Sequence, residues 1–253
     1  MTSTVPQQAH PTDPAPTFPF PSWRASPLRT AVADHVRGLA IGYQADQPQA
    51  VATLARLRRG LGRPLHTQPD VWGLIGMDSF QAAVESSPAD TGYWTSPRTL
   101  DRVETALHTA LPLWALHQQA HRQASMHARG WGLGRAVRAL MRARTTEEFD
   151  EPLRKRFVRT VSATSFEVMA LRLRELVLLL RSAGIPLDYG VLADQFLQWQ
   201  KPESRAEVHR FWGRDFHLAG MRHTPSADTD GPKDPADPGG QPNTPDDHFP
   251  TAD

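Results

Sequence analysis

Between residues 28 and 217 the apolar side chains return every three or four positions, and almost nowhere do they alternate with polar ones in steps of two. Step-two alternation is what a half-buried strand needs, whereas the longer spacing lays an apolar stripe along one side of a helix. The pattern predicts an all-α chain. Val32, Val36, Leu39 and Tyr43 share one face of a helix over 28–43. Asp46 as N-cap and Pro48 in the first turn open a second over 47–59, with Val51, Leu54 and Leu57 inward and Gly60, Gly62 and Pro64 closing it. Further helices are expected at 97–119, 133–144, 152–161, 166–183, 188–199 and 204–217. Pro112 predicts a kink or break in the first of these, and Ser165 and Gly184 bracket the strongest. Signals over 66–96 are short and broken. The expectation is about eight helices in one or two small helical bundles, with 64–96 as a possible subdivision.

The flanks differ from this middle. Residues 1–23 and 218–253 hold 13 of the 23 prolines with few periodic apolar residues, predicting disordered Pro-rich tails around a helical domain at 24–217. The formal charge of +1 hides an uneven distribution: 24–217 carries a net +7 and 218–253 a net −5. Of the 28 basic residues only Lys155, Lys201 and Lys233 are lysines. Arginine forks onto phosphates and stacks on planar groups, so a basic, arginine-rich domain is compatible with nucleic acid. The absence of cysteine excludes disulfides and a thiol nucleophile. No apolar run reaches the roughly 18 residues of a membrane span, and the opening MTSTVPQQAHPTDPAP lacks a signal peptide's basic and apolar regions. A cytoplasmic protein without a membrane partner is expected.

Candidate chemistry is sparse. His117 and His121 have the i, i+4 spacing of a zinc helix, but Gln118 stands where a catalytic glutamate would, and no third ligand lies near in sequence; two half-exposed histidines at a helix end are expected, with no metal. Asp34-His35 lacks the partners of a phosphohydrolase site. Gly130, Gly132 and Gly134 lead into a helix without the strand and Gly-Lys-Ser/Thr ending of a phosphate loop, though their amides remain open to a nucleic-acid phosphate. No nucleophile and base can be paired, so neither an enzyme nor a cofactor is expected. The arginines say more. Arg135, Arg138 and Arg142 fall on one helical face with no interleaved acid, and Arg56, Arg59 and Arg63 repeat the spacing. A solvated face normally mixes signs, so all-cationic stripes point to a bound anion. Arg154, Lys155, Arg156 and Arg159 follow four acids and count for less. Trp212, Phe211 and Phe216 read as core, and Trp131, in its Gly-rich loop, is the better stacking candidate.

Five segments together resemble the CasB family, the small subunit of the type I-E CRISPR complex Cascade: AVATLARLRRGLGRP (50–64), ALHTALPLWALHQQ (106–119), MHARGWGLGRAVRAL (126–140), AGIPLDYGVLADQFLQWQ (183–200) and VHRFWGRDFH (208–217). The resemblance covers most of 28–217 and leaves the tails outside. It implies an all-helical, non-catalytic protein that assembles as two copies beside the crRNA-bearing backbone, with the other Cascade subunits, and helps hold the target and non-target DNA strands of the R-loop. Arg58, Arg59, Arg98 and Arg135 fall at positions resembling the family's basic motifs. The local charge pattern adds Arg129, Arg138, Arg142, Lys201 and Arg205 as nucleic-acid-binding candidates. The alternative is a helical adaptor whose arginines meet acidic protein surfaces.

Overall fold

Ser26 accepts the Arg29 amide at 3.0 Å and so starts α1 (Pro27–Gln44), the first helix of a computed structural model that describes residues 26–60, 62–63, 67–87, 91–145 and 150–221. α2 (Pro48–Gly60) follows. Three short segments, α3 (Pro69–Trp72), α4 (Met77–Glu85) and α5 (Thr91–Trp94), occupy the stretch of broken signals. Then come α6 (Pro97–Gln118), α7 (Leu133–Arg144), α8 (Glu151–Val161), α9 (Phe166–Ala183), α10 (Tyr189–Trp199) and α11 (Pro202–Met221). All eight expected helices are present, and the three short segments bring the number among the described residues to eleven. No strand occurs among those residues, only an isolated bridge between His127 and Leu187. The expected tails, apart from residues 218–221 at the end of α11, lie outside the described residues.

Local signals act largely as anticipated. Ser165 and Asp188 each accept an amide three residues on, capping α9 and α10, and Asp150, not singled out in the sequence, does the same for α8. Gly184, at φ 64°, ends α9 in the left-handed conformation that glycine adopts without strain. One expectation fails. Asp46 does not cap α2: it sits at φ 54°, the Gln47 carbonyl receives the first bond of the helix, and the Asp46 carboxylate turns to Arg122. Of the kink or break expected at Pro112, the break does not occur, and α6 continues through it. Leu111 and Leu113 on either side of Pro112 are fully buried, and apolar packing on this scale outweighs one missing backbone bond.

α6 is the axle of the structure, with α1, α2, α9 and α10 packed around it. Val103, Leu107, Leu111 and Trp114 are at most 1% exposed. One apolar cluster extends from Leu28 to Phe216. At the end of α6 the Gln118 amide holds the following loop, donating to the carbonyls of His121 (2.6 Å) and Ala124 (2.8 Å) and accepting the Met126 amide (2.9 Å). α7 lies against α11 so closely that a Cβ on Gly134 would stand 2.3 Å from the Phe216 nitrogen and 2.4 Å from the Trp212 carbonyl oxygen.

That contact leaves no room for a methyl group, because both obstructing atoms belong to backbone. Gly134→Ala is therefore expected to cost about 2 kcal/mol or more by overpacking. Gly38→Ala, on the exposed side of α1 with nothing within 4 Å, should stabilise by about 0.4–1 kcal/mol. Thermal unfolding of the two variants should move the midpoint in opposite directions.

Candidate nucleic-acid interface

The start of α7 has no capping side chain of its own; Gly132 occupies that place. Asp215 of α11 supplies the missing acceptor, taking the Arg135 amide at 2.9 Å and the Gly134 amide as well. Asp215 is 2% exposed, and burial pushes its carboxyl up to about 6 despite those amides and the Arg135 charge. Gly130 likewise gives its N–H to Asp188, at 2.9 Å. The expectation that this glycine-rich start offers amides to a phosphate is thus corrected for Gly130, Gly134 and Arg135: internal carboxylates already hold them.

The side chains beyond are another matter. Arg135 lies over the Trp131 ring, 4.5 Å from its centroid, and Arg138 lies 5.6 Å from that of Phe216. Arg142 donates to the Ala219 carbonyl at 3.0 Å. Burial, then the charges of Arg138 and Arg135, lower the Arg142 pKa, so the three guanidinium groups do share one face. Trp131, the better stacking candidate in the sequence, is half-buried with Arg135 over its ring. Trp212 and Phe216 are core, as expected.

The other candidates are spread over the surface. Arg58 and Arg59 stand in the last turn of α2, Arg98 in the first turn of α6, and Arg129 in the loop before α7; the side chains of the four make no ion pair or hydrogen bond among the described residues. Lys201 donates to the Tyr93 hydroxyl at 2.6 Å and to Gln198 at 3.1 Å. Arg205 covers the Trp199 ring at 4.0 Å and reaches the Thr164 carbonyl at 3.3 Å. Tyr93 precedes Arg98 on the chain, and the Gln200 side chain donates to the Arg102 carbonyl at 2.9 Å, so Lys201 and the first turns of α6 lie together. Arg172 of α9 joins Arg156 and Arg159 of α8 around a cleft of about 470 Å³, which Glu175, 3.7 Å from Arg156, also lines. Two separate helices supply these three arginines, so no spacing rule reveals them.

Histidine chemistry recedes. His117 is not half-exposed but fully buried, its Nδ1 3.0 Å from the Tyr189 hydroxyl, and burial drives its pKa down to about 3. His121 bonds the Arg181 carbonyl at 2.8 Å. Among the described residues no three His, Asp or Glu side chains are grouped to hold a metal. None of the described helices is long and apolar enough to cross a membrane.

A family model described as CRISPR-associated protein Cse2 matches residues 53–217. No curated protein matches the chain. The crystal structure of CasB from Thermobifida fusca is 45% identical, with a TM-score of 0.64 over 76% of this chain and 98% of that one. Two structures described as a CRISPR RNA-guided surveillance complex, one of them pre-nicking, are 20% and 21% identical. Each covers 76% of this chain and 96% of its own with a TM-score of 0.51, a likeness of fold.

The Asp215 carboxyl makes a measurable demand on pH. Its folded-state pKa of about 6 lies above the usual aspartate value near 3.9, so between these limits the folded protein holds the additional proton. Its stabilising contribution is present on the acid side and lost as pH rises through about 6. Asp215→Asn keeps an oxygen acceptor and removes the titration. In urea denaturation from pH 7 to 4.5 the native protein should gain stability relative to the variant as pH falls; parallel profiles would refute this assignment.

Proposed function

The chain belongs to the CRISPR-associated Cse2 family, and from that premise we propose that it is a structural, non-catalytic subunit of the type I-E surveillance complex Cascade. In this reading it binds nucleic acid without sequence preference and steadies the target and displaced strands of the R-loop. Its partners are the other Cascade subunits, the crRNA and a second copy of itself. The observation that carries the nucleic-acid role is the face of α7, where three guanidinium groups stand within electrostatic range of one another. Concentrated positive charge of this kind is favourable opposite a phosphate chain, and arginine forks match phosphate oxygens. Base pairing with a guide supplies sequence specificity in RNA-guided complexes, so a subunit of this kind needs phosphate contacts rather than base-reading groups. We assign Arg135, Arg138 and Arg142 as the principal contact, with Arg58, Arg59, Arg98, Arg129, Lys201 and Arg205 extending it.

Single-stranded DNA affinity of the full chain should fall by about one to three orders of magnitude between 50 and 200 mM salt, as expected for four to six phosphate contacts. Replacing Arg135, Arg138 and Arg142 together by Gln should weaken binding and make the salt dependence shallower by about two in slope. Melting should also occur at a somewhat lower temperature, because the variant loses two cation–π contacts and the bond to Ala219. A folded triple variant with unchanged affinity would place the contact elsewhere.

A further inference from the structure

α6 and α9 run side by side in one direction: at their far ends the Arg181 guanidinium reaches the Leu116 carbonyl at 3.5 Å and the Gln119 side chain at 3.1 Å. Their opening turns border a cleft of about 1120 Å³, bounded across from them by α3 and the start of α4. Ile75, Met77, Phe166 and Ala170 give it an apolar lining, and Leu171 stands at it 61% exposed. Apolar side chains left together at a surface mark a binding site, where ones scattered singly do not. The polar groups around the cleft are sorted by sign. Asp101 and Glu104 of α6 and Glu167 of α9 come from the beginnings of the two helices, so the parallel course gathers three carboxylates at one end. None of these carboxylates makes an ion pair or hydrogen bond among the described residues. In a domain of net charge +7 they form an acidic spot. Arg63, after α2, and Arg174, about two turns along α9 from Glu167, line other parts of the cleft. His108, nine-tenths buried, borders it from α6, and its Nε2 has no hydrogen-bond partner among the described residues.

We propose that this cleft docks another protein subunit of the assembly, through a segment that sets an apolar side chain against Leu171 and a lysine or arginine against Asp101, Glu104 and Glu167. The inference rests on the reading of this chain as a subunit of a larger complex, and it names the surface used and the chemistry of the partner. A buried apolar anchor supplies most of the energy of such a contact, and the opposed charges fix its orientation. The His108 Nε2 is left for a polar group of the same segment, since a buried nitrogen without a partner is costly. A nucleic-acid strand suits the cleft poorly, because the three carboxylates repel phosphate. A second copy of this chain suits it less well than a different protein. Its exposed apolar side chains away from α9 include Ile41, Tyr93 and Val158, and the cations beside them are already engaged: Arg37 by Asp34, Lys201 by Gln198, and Arg154 and Lys155 by Glu151.

The test adds the full chain, fluorescein-labelled, to a Cascade complex assembled with crRNA but lacking this subunit. Leu171→Glu is expected to weaken uptake about 10-fold or more, the loss typical of a disrupted anchor, and Glu104→Lys combined with Glu167→Lys should do the same. Leu171→Met should retain most of the uptake. Circular dichroism checks that each variant is folded, and Leu171→Glu, altered at a side chain outside the core, should bind an oligothymidylate as the unmodified chain does. A photo-cross-link from Leu171→p-benzoylphenylalanine should join a segment of another subunit in which a lysine or arginine stands beside an apolar residue. Native uptake of both Leu171→Glu and the double lysine variant would overturn the docking site. So would a cross-link to a second copy of this chain, or loss of oligothymidylate binding by folded Leu171→Glu with native uptake, which would make the cleft a strand site. Failure of the unmodified chain to join the complex would instead remove the reading as a Cascade subunit itself, and this inference with it.

Discussion

The contact between α7 and α11 is made backbone to backbone, and most of what is distinctive about the basic face follows from it. Gly134 lets the two helices approach, and the approach brings Asp215 over the first amides of α7. Those amides would otherwise be buried donors without acceptors, each costing about 1–3 kcal/mol. One carboxylate thus caps a helix belonging to a distant part of the chain. Because α11 is fixed there, Phe216 and the Ala219 carbonyl are in place to receive Arg138 and Arg142. The short motifs GLGR and WGRDF are the two halves of a single joint.

Much of the helical architecture can be read from the chain because apolar spacing and capping residues are local. Ser165, Asp188 and Gly184 act where they stand, within one turn of the helix they begin or end. Asp46 misleads for the same reason that it attracts notice: a carboxylate before a helix is a good cap unless a distant cation claims it, and Arg122 does. His117 likewise reads as a helix-end residue until α10 brings Tyr189 against it. The broken stretch after α2 has no periodicity to read, since four-residue segments such as α3 and α5 are too short to show one. For the candidate interface the shared face of Arg135, Arg138 and Arg142 is legible from spacing alone. The cluster of Arg156, Arg159 and Arg172 is not, because two helices compose it.

Arginine performs two tasks in this molecule. Arg135, Arg138, Arg142 and Arg205 lay their planar ends on rings or helix-end carbonyls while keeping their charge near the surface. Lysine cannot replace them equally, since an ammonium neither stacks nor forks. A cation held by an aromatic ring is also restricted in its rotamers, and in the proposed nucleic-acid role it would meet a phosphate already oriented. At these positions arginine therefore serves the packing of the fold as well as its charge.

The three bonds made by Gln118 have a consequence for the segment that leads into α7. An irregular stretch of chain ordinarily keeps many conformations, and arresting each residue costs about 1–2 kcal/mol. Here one side-chain amide gathers the carbonyls of His121 and Ala124 and the amide of Met126 as the protein folds. The freedom is surrendered then and not when a ligand arrives. Arg129, three residues past Met126, stands on a platform prepared in advance. If the proposed nucleic-acid role holds, a polyanion would find that charge at a fixed address, with little of its attraction consumed in stilling the chain beneath it.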